Sequence, residues 1–287
     1  GMKDDRIVLY LNWDGFAFYY YAAAKTRGII PVIESLKEHG VFFKNTYCGI
    51  PAITNPMQTA IASGVYAGKT GNVKIYYDRR LRTVVGQRRE NAAENLVCSL
   101  RRQGISCASV QHFTFENNGT TAGDVLAPYV FLNNSTYAQR FDMLGDLLME
   151  KCVPSGDGLL TMFEQPRFVA CYMEDLDTIG HNNGKLAPIA KSEDERLEQV
   201  LWRLGQFDAA LGGFLDRMRR AGLLERLSLF LLTDHGMTPF SWNRYAMDSY
   251  GDFLNEICAE GLTYEVLKPG MSPKPDTDLV ICSAGLS

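Results

Sequence analysis

The chain has 287 residues, enough for one large α/β domain or for a core with a smaller cap. Its apolar fraction of 46% and charged fraction of 22% are ordinary for a soluble globular protein. A formal charge of -4 without a dense Lys/Arg stripe argues against a nucleic-acid partner, and no apolar run approaches the length of a membrane span.

In chain order, Arg6 to Asn12 (RIVLYLN) reads as a buried strand with Asp14-Gly15 at its carboxyl end. Pro31 to His39 reads as a helix ending at Gly40, with His39 a helix-end residue, and Val41 to Tyr47 as a second strand. Asn55 reads as an N-cap and Pro56 as the first residue of a helix running through Gln58 to Ala62. Asn91 to Gln103 is a helix stopped by Gly104, and Ile105 to Val110 the next strand. Residues 114–136 are the least regular stretch, expected as a small surface excursion. Phe168 to Met173 and Leu227 to Thr233 have strand length and composition. Between them, the capping box Ser192-Glu193-Asp194-Glu195 opens the clearest helix, apolar at Leu197, Val200, Leu201, Leu204, Phe207, Leu211, Phe214, Leu215 and Met218 and ended by Gly222. A loop from Lys268 to Asp278 precedes a final strand, Leu279 to Cys282. Strands alternating with helices predict an α/β fold with a largely parallel central sheet and helices on both faces.

Three short segments carry the chemistry: Trp13-Asp14-Gly15, Asp177-Thr178-Ile179-Gly180-His181 and Thr233-Asp234-His235-Gly236. The chain has 4 histidines, so two of them in these segments is no effect of composition. Ligands in open α/β sheets bind beyond the carboxyl ends of the strands, where one rim can collect all three aspartates. Carboxylate and imidazole together suit two divalent ions such as Zn²⁺ or Mn²⁺. Asp177 and His181, at i and i+4, can reach one ion, and Gly236 gives the backbone freedom that adjacent Asp234 and His235 need. Thr54, at a helix amino terminus, sits where free N–H groups and the dipole favour an anion, and its hydroxyl is a candidate nucleophile.

The ordered set Asp14-Gly15-Phe16, Pro51-x-x-Thr54-x-Pro56, Ser63-Gly64, Asp177-x-x-x-His181-x-x-Gly184 and Thr233-Asp234-His235-Gly236-Met237 resembles the alkaline phosphatase superfamily. Within it, order and spacing are similar to the type I phosphodiesterase/nucleotide pyrophosphatase family from residue 6 to about residue 237. The resemblance implies an alkaline phosphatase-like catalytic domain over residues 1–287. It also implies one metal held by Asp14, Thr54, Asp234 and His235, and a second by Asp177, His181 and a further histidine. Zinc is the family expectation, with manganese the alternative. The implied reaction is hydrolysis of a phosphodiester or pyrophosphate bond in a small phosphate ester or nucleotide-like substrate, through a phosphothreonine on Thr54. Thr54-Asn55-Pro56-Met57-Gln58 lacks the sulfatase pattern, and a threonine nucleophile differs from the serine of the superfamily's phosphoglycerate mutases.

Three positions depart from the family. No histidine follows His235, which leaves open a missing C-terminal part, a second metal with one ligand fewer, or another residue in that histidine's place. Asn55 stands where the family often has an aromatic residue, and Asn72 lies near, not at, the position of the family's phosphoryl-binding asparagine. Asn55, Asn72 and His112 are therefore candidate substrate contacts, His112 against the plainer reading of a structural histidine. The other function class consistent with these departures is a non-catalytic, partly degenerate phosphate-ligand-binding protein. Seven cysteines without a C-x-x-C pair point to a reducing compartment and away from a cysteine zinc site. With a strand beginning a few residues after Met2, no signal peptide is expected, and the location is read as cytoplasmic.

Overall fold

A computed structural model describes residues 5–239 and 244–282. The first half runs β1 (Ile7–Trp13), α1 (Phe18–Thr26), α2 (Pro31–Glu38), α3 (Thr54–Ser63), α4 (Ala67–Thr70), β2 (Ile75–Asp78), β3 (Thr83–Gly86), α5 (Leu96–Arg102), β4 (Cys107–Val110) and β5 (Tyr129–Val130). The second continues with α6 (Tyr137–Leu148), β6 (Val153–Ser155), β7 (Gly158–Leu160), β8 (Phe168–Met173), α7 (Asp175–Gly180), α8 (Glu193–Arg220), β9 (Leu227–Leu232), α9 (Arg244–Ala259), β10 (Tyr264–Val266) and β11 (Leu279–Ile281).

The central sheet has the order β5-β4-β8-β1-β9 and every pairing in it is parallel. Parallel strands covered on both faces must be apolar on both, which is why β1 and β8 read as unbroken hydrophobic runs. Alternation assigns the faces. Ile7, Leu9, Leu11 and Trp13 join the larger core with α6 and α8, whereas Tyr10 packs with Ala62 of α3 and Val97 of α5 on the other side. The predicted α/β class with helices on both faces is the one observed.

Helix α8 supplies the largest single contribution to the core. Val200, Leu201, Leu204, Phe207, Leu211, Phe214 and Met218 form its buried stripe, each burial stabilising by about 1.5–3 kcal/mol before chain entropy is subtracted. Ser192 Oγ accepts from Glu195 N, as the capping box predicts, but Glu195 turns its carboxylate to Lys191 N at 2.8 Å. Asp208 of α8 also caps a second helix. Its two oxygens accept from Val32 N and Ile33 N at 3.0 and 2.9 Å, supplying the free amino end of α2, which has no side-chain cap of its own.

Several boundaries differ from expectation. Val41 to Tyr47 forms no strand, and Val41, Phe43 and Tyr47 are exposed. Both neighbours of β1 are already taken, by β8 and β9, so the apolar run after α2 has no sheet edge to join there. The helix expected over 91–103 starts only at Leu96, because Asn95 caps it by accepting from Cys98 N at 2.9 Å. Within 114–136 the chain returns to the sheet, with Tyr129–Val130 its edge strand. The last strand pairs with β10 in a separate two-stranded sheet, not with the central one. Among the described residues no helix is long and apolar enough to cross a membrane.

Candidate active site

Strands β8, β1 and β9 are neighbours, so their carboxyl ends form one rim. Asp14 directly follows β1, Asp177 lies in α7 just beyond β8, and Asp234 stands two residues past β9. Hydrogen bonds stitch the three ends together. Asp14 N donates to Met173 O at 2.9 Å, Phe16 N to Thr233 Oγ1 at 3.0 Å and Gly15 N to Asp234 Oδ1 at 3.3 Å. Gly15 has φ +70°, and a Cβ there would stand 2.9 Å from the Asp177 Cα, so only glycine fits where the first two segments touch.

His235 is at the centre of the group. Its Nδ1–H donates to Gly236 O at 2.7 Å, which turns the Nε2 lone pair inward. Around Nε2 stand Thr54 Oγ1 at 3.1 Å, Asp14 Oδ1 at 3.3 Å and Asp234 Oδ2 at 3.5 Å. Four ligands held about 2.0–2.1 Å from one tetrahedral ion lie roughly 3.3–3.4 Å from each other. Asp14, Asp234 and His235 are almost fully buried, and Asp14 Oδ1 and Asp234 Oδ2 have no hydrogen-bond partner. Buried carboxylate oxygens without a donor are costly, and a cation among them removes that cost. The donor set and its spacing fit a divalent ion.

The electrostatics agree. Burial first, then the charges of Asp234 and Asp177, hold the Asp14 carboxyl well above the usual carboxylate range. Burial pushes Asp234 up to about 6, against the bonds its Oδ1 accepts from Gly15 N and His235 N. The Tyr172 hydroxyl donates to Asp14 Oδ2, and burial followed by the Asp14 charge pushes the Tyr172 phenol upward. Nothing in the sequence marked this tyrosine; in its strand it reads as one more core aromatic.

Asp177 and His181 form the second half of the rim. His181 Nε2 is 3.3 Å from Asp177 Oδ1, and that contact raises the imidazole above its ordinary value. The ligand atoms of Asp14, Asp177 and His235 all lie within 4.8 Å of one another, so Asp177 borders the first cluster. His181 is exposed on the open side of the rim, Asp177 and Thr54 are half-buried, and Asp14, Asp234 and His235 are buried.

Thr54 is half-buried and is the first residue of α3, with Ile53 as N-cap. The expected N-cap, Asn55, is instead the second helical residue. Its amide donates to Gln87 O at 2.9 Å, so it serves the neighbouring loop and not the helix end; Pro56 still falls in the first turn, where its missing N–H does no harm. Asn72 is fully buried. Its amide donates to Glu90 O at 3.0 Å and its Oδ1 accepts from Lys74 N at 3.1 Å, so both ends are engaged within the protein. His112 is also fully buried, packed against the rings of Tyr10, Phe115 and Tyr172, and burial pushes it down to about 3. It reaches no surface from which a substrate could touch it.

The sequence pattern that defines the type I phosphodiesterase/nucleotide pyrophosphatase family matches residues 8–281. Ectonucleotide pyrophosphatase/phosphodiesterase family member 1 of Rattus norvegicus is 25% identical over 257 residues, covering 87% of this chain and 26% of that protein. Venom phosphodiesterase of Naja atra is 26% identical over 284 residues, covering 96% and 31%. Murine ectonucleotide pyrophosphatase/phosphodiesterase 5 in complex with AMP shares the fold with a TM-score of 0.63 at 16% identity, covering 83% of this chain and 58% of that one. Phosphonoacetate hydrolase from Sinorhizobium meliloti, in complex with phosphonoformate, does so at 0.53 and 17%, covering 74% and 54%. The chain thus spans 26% to 31% of the length of these curated relatives. With its motifs in the family's order on an alkaline phosphatase-like α/β fold, the chain belongs to the type I phosphodiesterase/nucleotide pyrophosphatase family.

Proposed function

We propose that the protein is a metal-dependent hydrolase of phosphodiester or pyrophosphate bonds, acting on a small nucleotide-like substrate with Thr54 as nucleophile. The observation that carries this is the convergence of Thr54 Oγ1, Asp14 Oδ1 and Asp234 Oδ2 on His235 Nε2 at 3.1, 3.3 and 3.5 Å. A reactive hydroxyl inside a ring of donors that suits a divalent ion has little purpose in a purely structural site.

Asp14, Thr54, Asp234 and His235 would hold one ion, and Asp177 with His181 would contribute to a second; zinc matches the mixed carboxylate and imidazole donors, and manganese is the alternative. Such ions supply Lewis acidity toward the phosphoryl group and favour the ionised form of the threonine hydroxyl. The chain's own residues do the rest. The amino end of α3 presents the Thr54 and Asn55 N–H groups and the positive end of the helix dipole to the phosphoryl oxygens. Thr54 Oγ attacks phosphorus, the bond to the leaving group breaks on the opposite side, and water then cleaves the phosphothreonine and restores the hydroxyl. The Gly236 carbonyl holds the His235 ring and the Tyr172 hydroxyl holds Asp14, so neither ligand reorients during turnover.

The test is metal content per chain together with hydrolysis of bis(p-nitrophenyl) phosphate. We expect two ions in the native protein, and a loss of activity on the order of 10³-fold or more in Thr54→Ala with metal content retained at the Asp177–His181 half. Undiminished hydrolysis by Thr54→Ala would remove the proposed nucleophile.

A further inference from the structure

The two halves of the rim flank β1, which pairs with β8 and with β9, but His181 and His235 lie beyond those ladders, and their separation decides whether one substrate can touch both. We propose that Arg196, acting with Tyr19, is a positioning residue that sets this separation. The inference rests on the two-metal reading above.

Arg196 is in the first turn of α8 and is only 6% exposed. A buried guanidinium needs a partner for each of its five N–H groups, and here all five have one. Nε donates to Glu193 Oε2 at 2.7 Å and Nη2 to Glu193 Oε1 at 2.6 Å, a two-pronged pairing with a carboxylate on its own helix. Nη1 donates to the Tyr20 hydroxyl at 2.6 Å and to Gly180 O at 3.1 Å. The other proton of Nη2 goes to the Tyr19 hydroxyl at 2.8 Å. Tyr19 in turn donates its own proton to Met237 O at 2.7 Å.

Two of these endpoints flank proposed ligands. Gly180 directly precedes His181, and Met237 lies two residues beyond His235. A path of three hydrogen bonds, Gly180 O to Arg196 to Tyr19 to Met237 O, therefore spans from one half of the rim to the other, buried at its Gly180 end and part-buried at Tyr19. The fit along this path is close: a Cβ on Gly180 would meet both Met237 Cε and the Tyr20 hydroxyl at 3.1 Å. Arg196 touches neither a ligand atom nor the place of a substrate. What it fixes is how far the backbone carrying His181 stands from the backbone carrying His235, and its planar fork does so with little freedom left to lose.

Tyr19→Phe removes the last link of the path and leaves Arg196 bound to Glu193, Tyr20 and Gly180. Tyr21→Phe is the control, because Tyr21, on the same helix, spends its hydroxyl on Glu34, away from the rim. Zinc binding to the metal-free proteins is measured by calorimetry, and thermal unfolding of the same metal-free samples by circular dichroism. We expect Tyr19→Phe to weaken the second zinc ion about 10- to 100-fold while Tyr21→Phe leaves both ions unchanged, with the two variants melting at similar temperatures. Arg196→Lys, which keeps the charge and loses the fork, should weaken the same ion. Zinc affinities in Tyr19→Phe equal to those of Tyr21→Phe would overturn the positioning role. Native protein that binds fewer than two ions would instead overturn the two-metal reading and, with it, this inference.

Discussion

Gly15 shows how little room the centre leaves. Its positive φ and the 2.9 Å approach to Asp177 Cα make it the hinge on which two of the three carboxylate segments meet. Gly15→Ala should destabilise the protein by about 1–3 kcal/mol and lower metal affinity as well, because the only relief for the new methyl is to push Asp177 away. Denaturant titration of the metal-free protein beside a zinc isotherm checks both halves, and an alanine variant with unchanged affinity would refute the second. At this scale much of the site was legible. Asp14, Asp234 and His235 were readable because each follows an apolar run and combines residue types that rarely meet by chance. Tyr172, Tyr19 and Arg196 were not, since a hydroxyl reaching a carboxylate or a carbonyl through space leaves no period in the chain. Asn55 misled for a related reason. Asparagine favours N-caps, but a carbonyl at Gln87 offered its amide a better partner.

At the scale of elements, α8 is the brace against which the rim is built. Phe207 is fully buried, meets Trp13 edge-on with ring centroids 5.0 Å apart, and packs on Tyr137 at 5.2 Å, so it links α8 to β1 and α6 at once. Phe207→Ala should cost about 3–5 kcal/mol, measured as a lowered denaturant midpoint; a change below about 1 kcal/mol would mean that the core there is loose. Helical periodicity over nine apolar positions made α8 easy to foresee. The 41–47 stretch shows the limit of the same reading. Local composition reports that a segment would suit a strand, and only the sheet decides whether an edge is free to receive it.

For the whole molecule, the buried carboxylates impose a pH dependence. Asp234 at about 6 and Asp14 above the usual range keep protons in the folded state that the unfolded chain has already released. The folded state then binds more protons than the unfolded one, so stability of the metal-free protein falls as pH rises from about 4 through 6 and stays lower above. His181, raised by Asp177, acts in the same direction, since the stability from its proton is lost as pH climbs through its folded value. We expect the melting temperature of metal-free protein to drop across that window and the drop to shrink in Asp234→Asn; identical profiles for the two proteins would contradict the assignment. The sheet order has a consequence in time as well. Gly15 and Asp234 are bonded across 219 residues of sequence, and β1 waits for both of its neighbours until β9 exists. At ~5–20 residues per second a ribosome needs roughly 10–40 s to bridge that interval. During it the emerging chain offers Asp14 and Thr54, later joined by Asp177 and His181, but neither Asp234 nor His235, so the four-donor cluster around His235 Nε2 stays incomplete. An ion held as proposed by Asp14, Thr54, Asp234 and His235 would therefore be captured only by a chain translated past His235, and its arrival would certify that both ends of the rim were made.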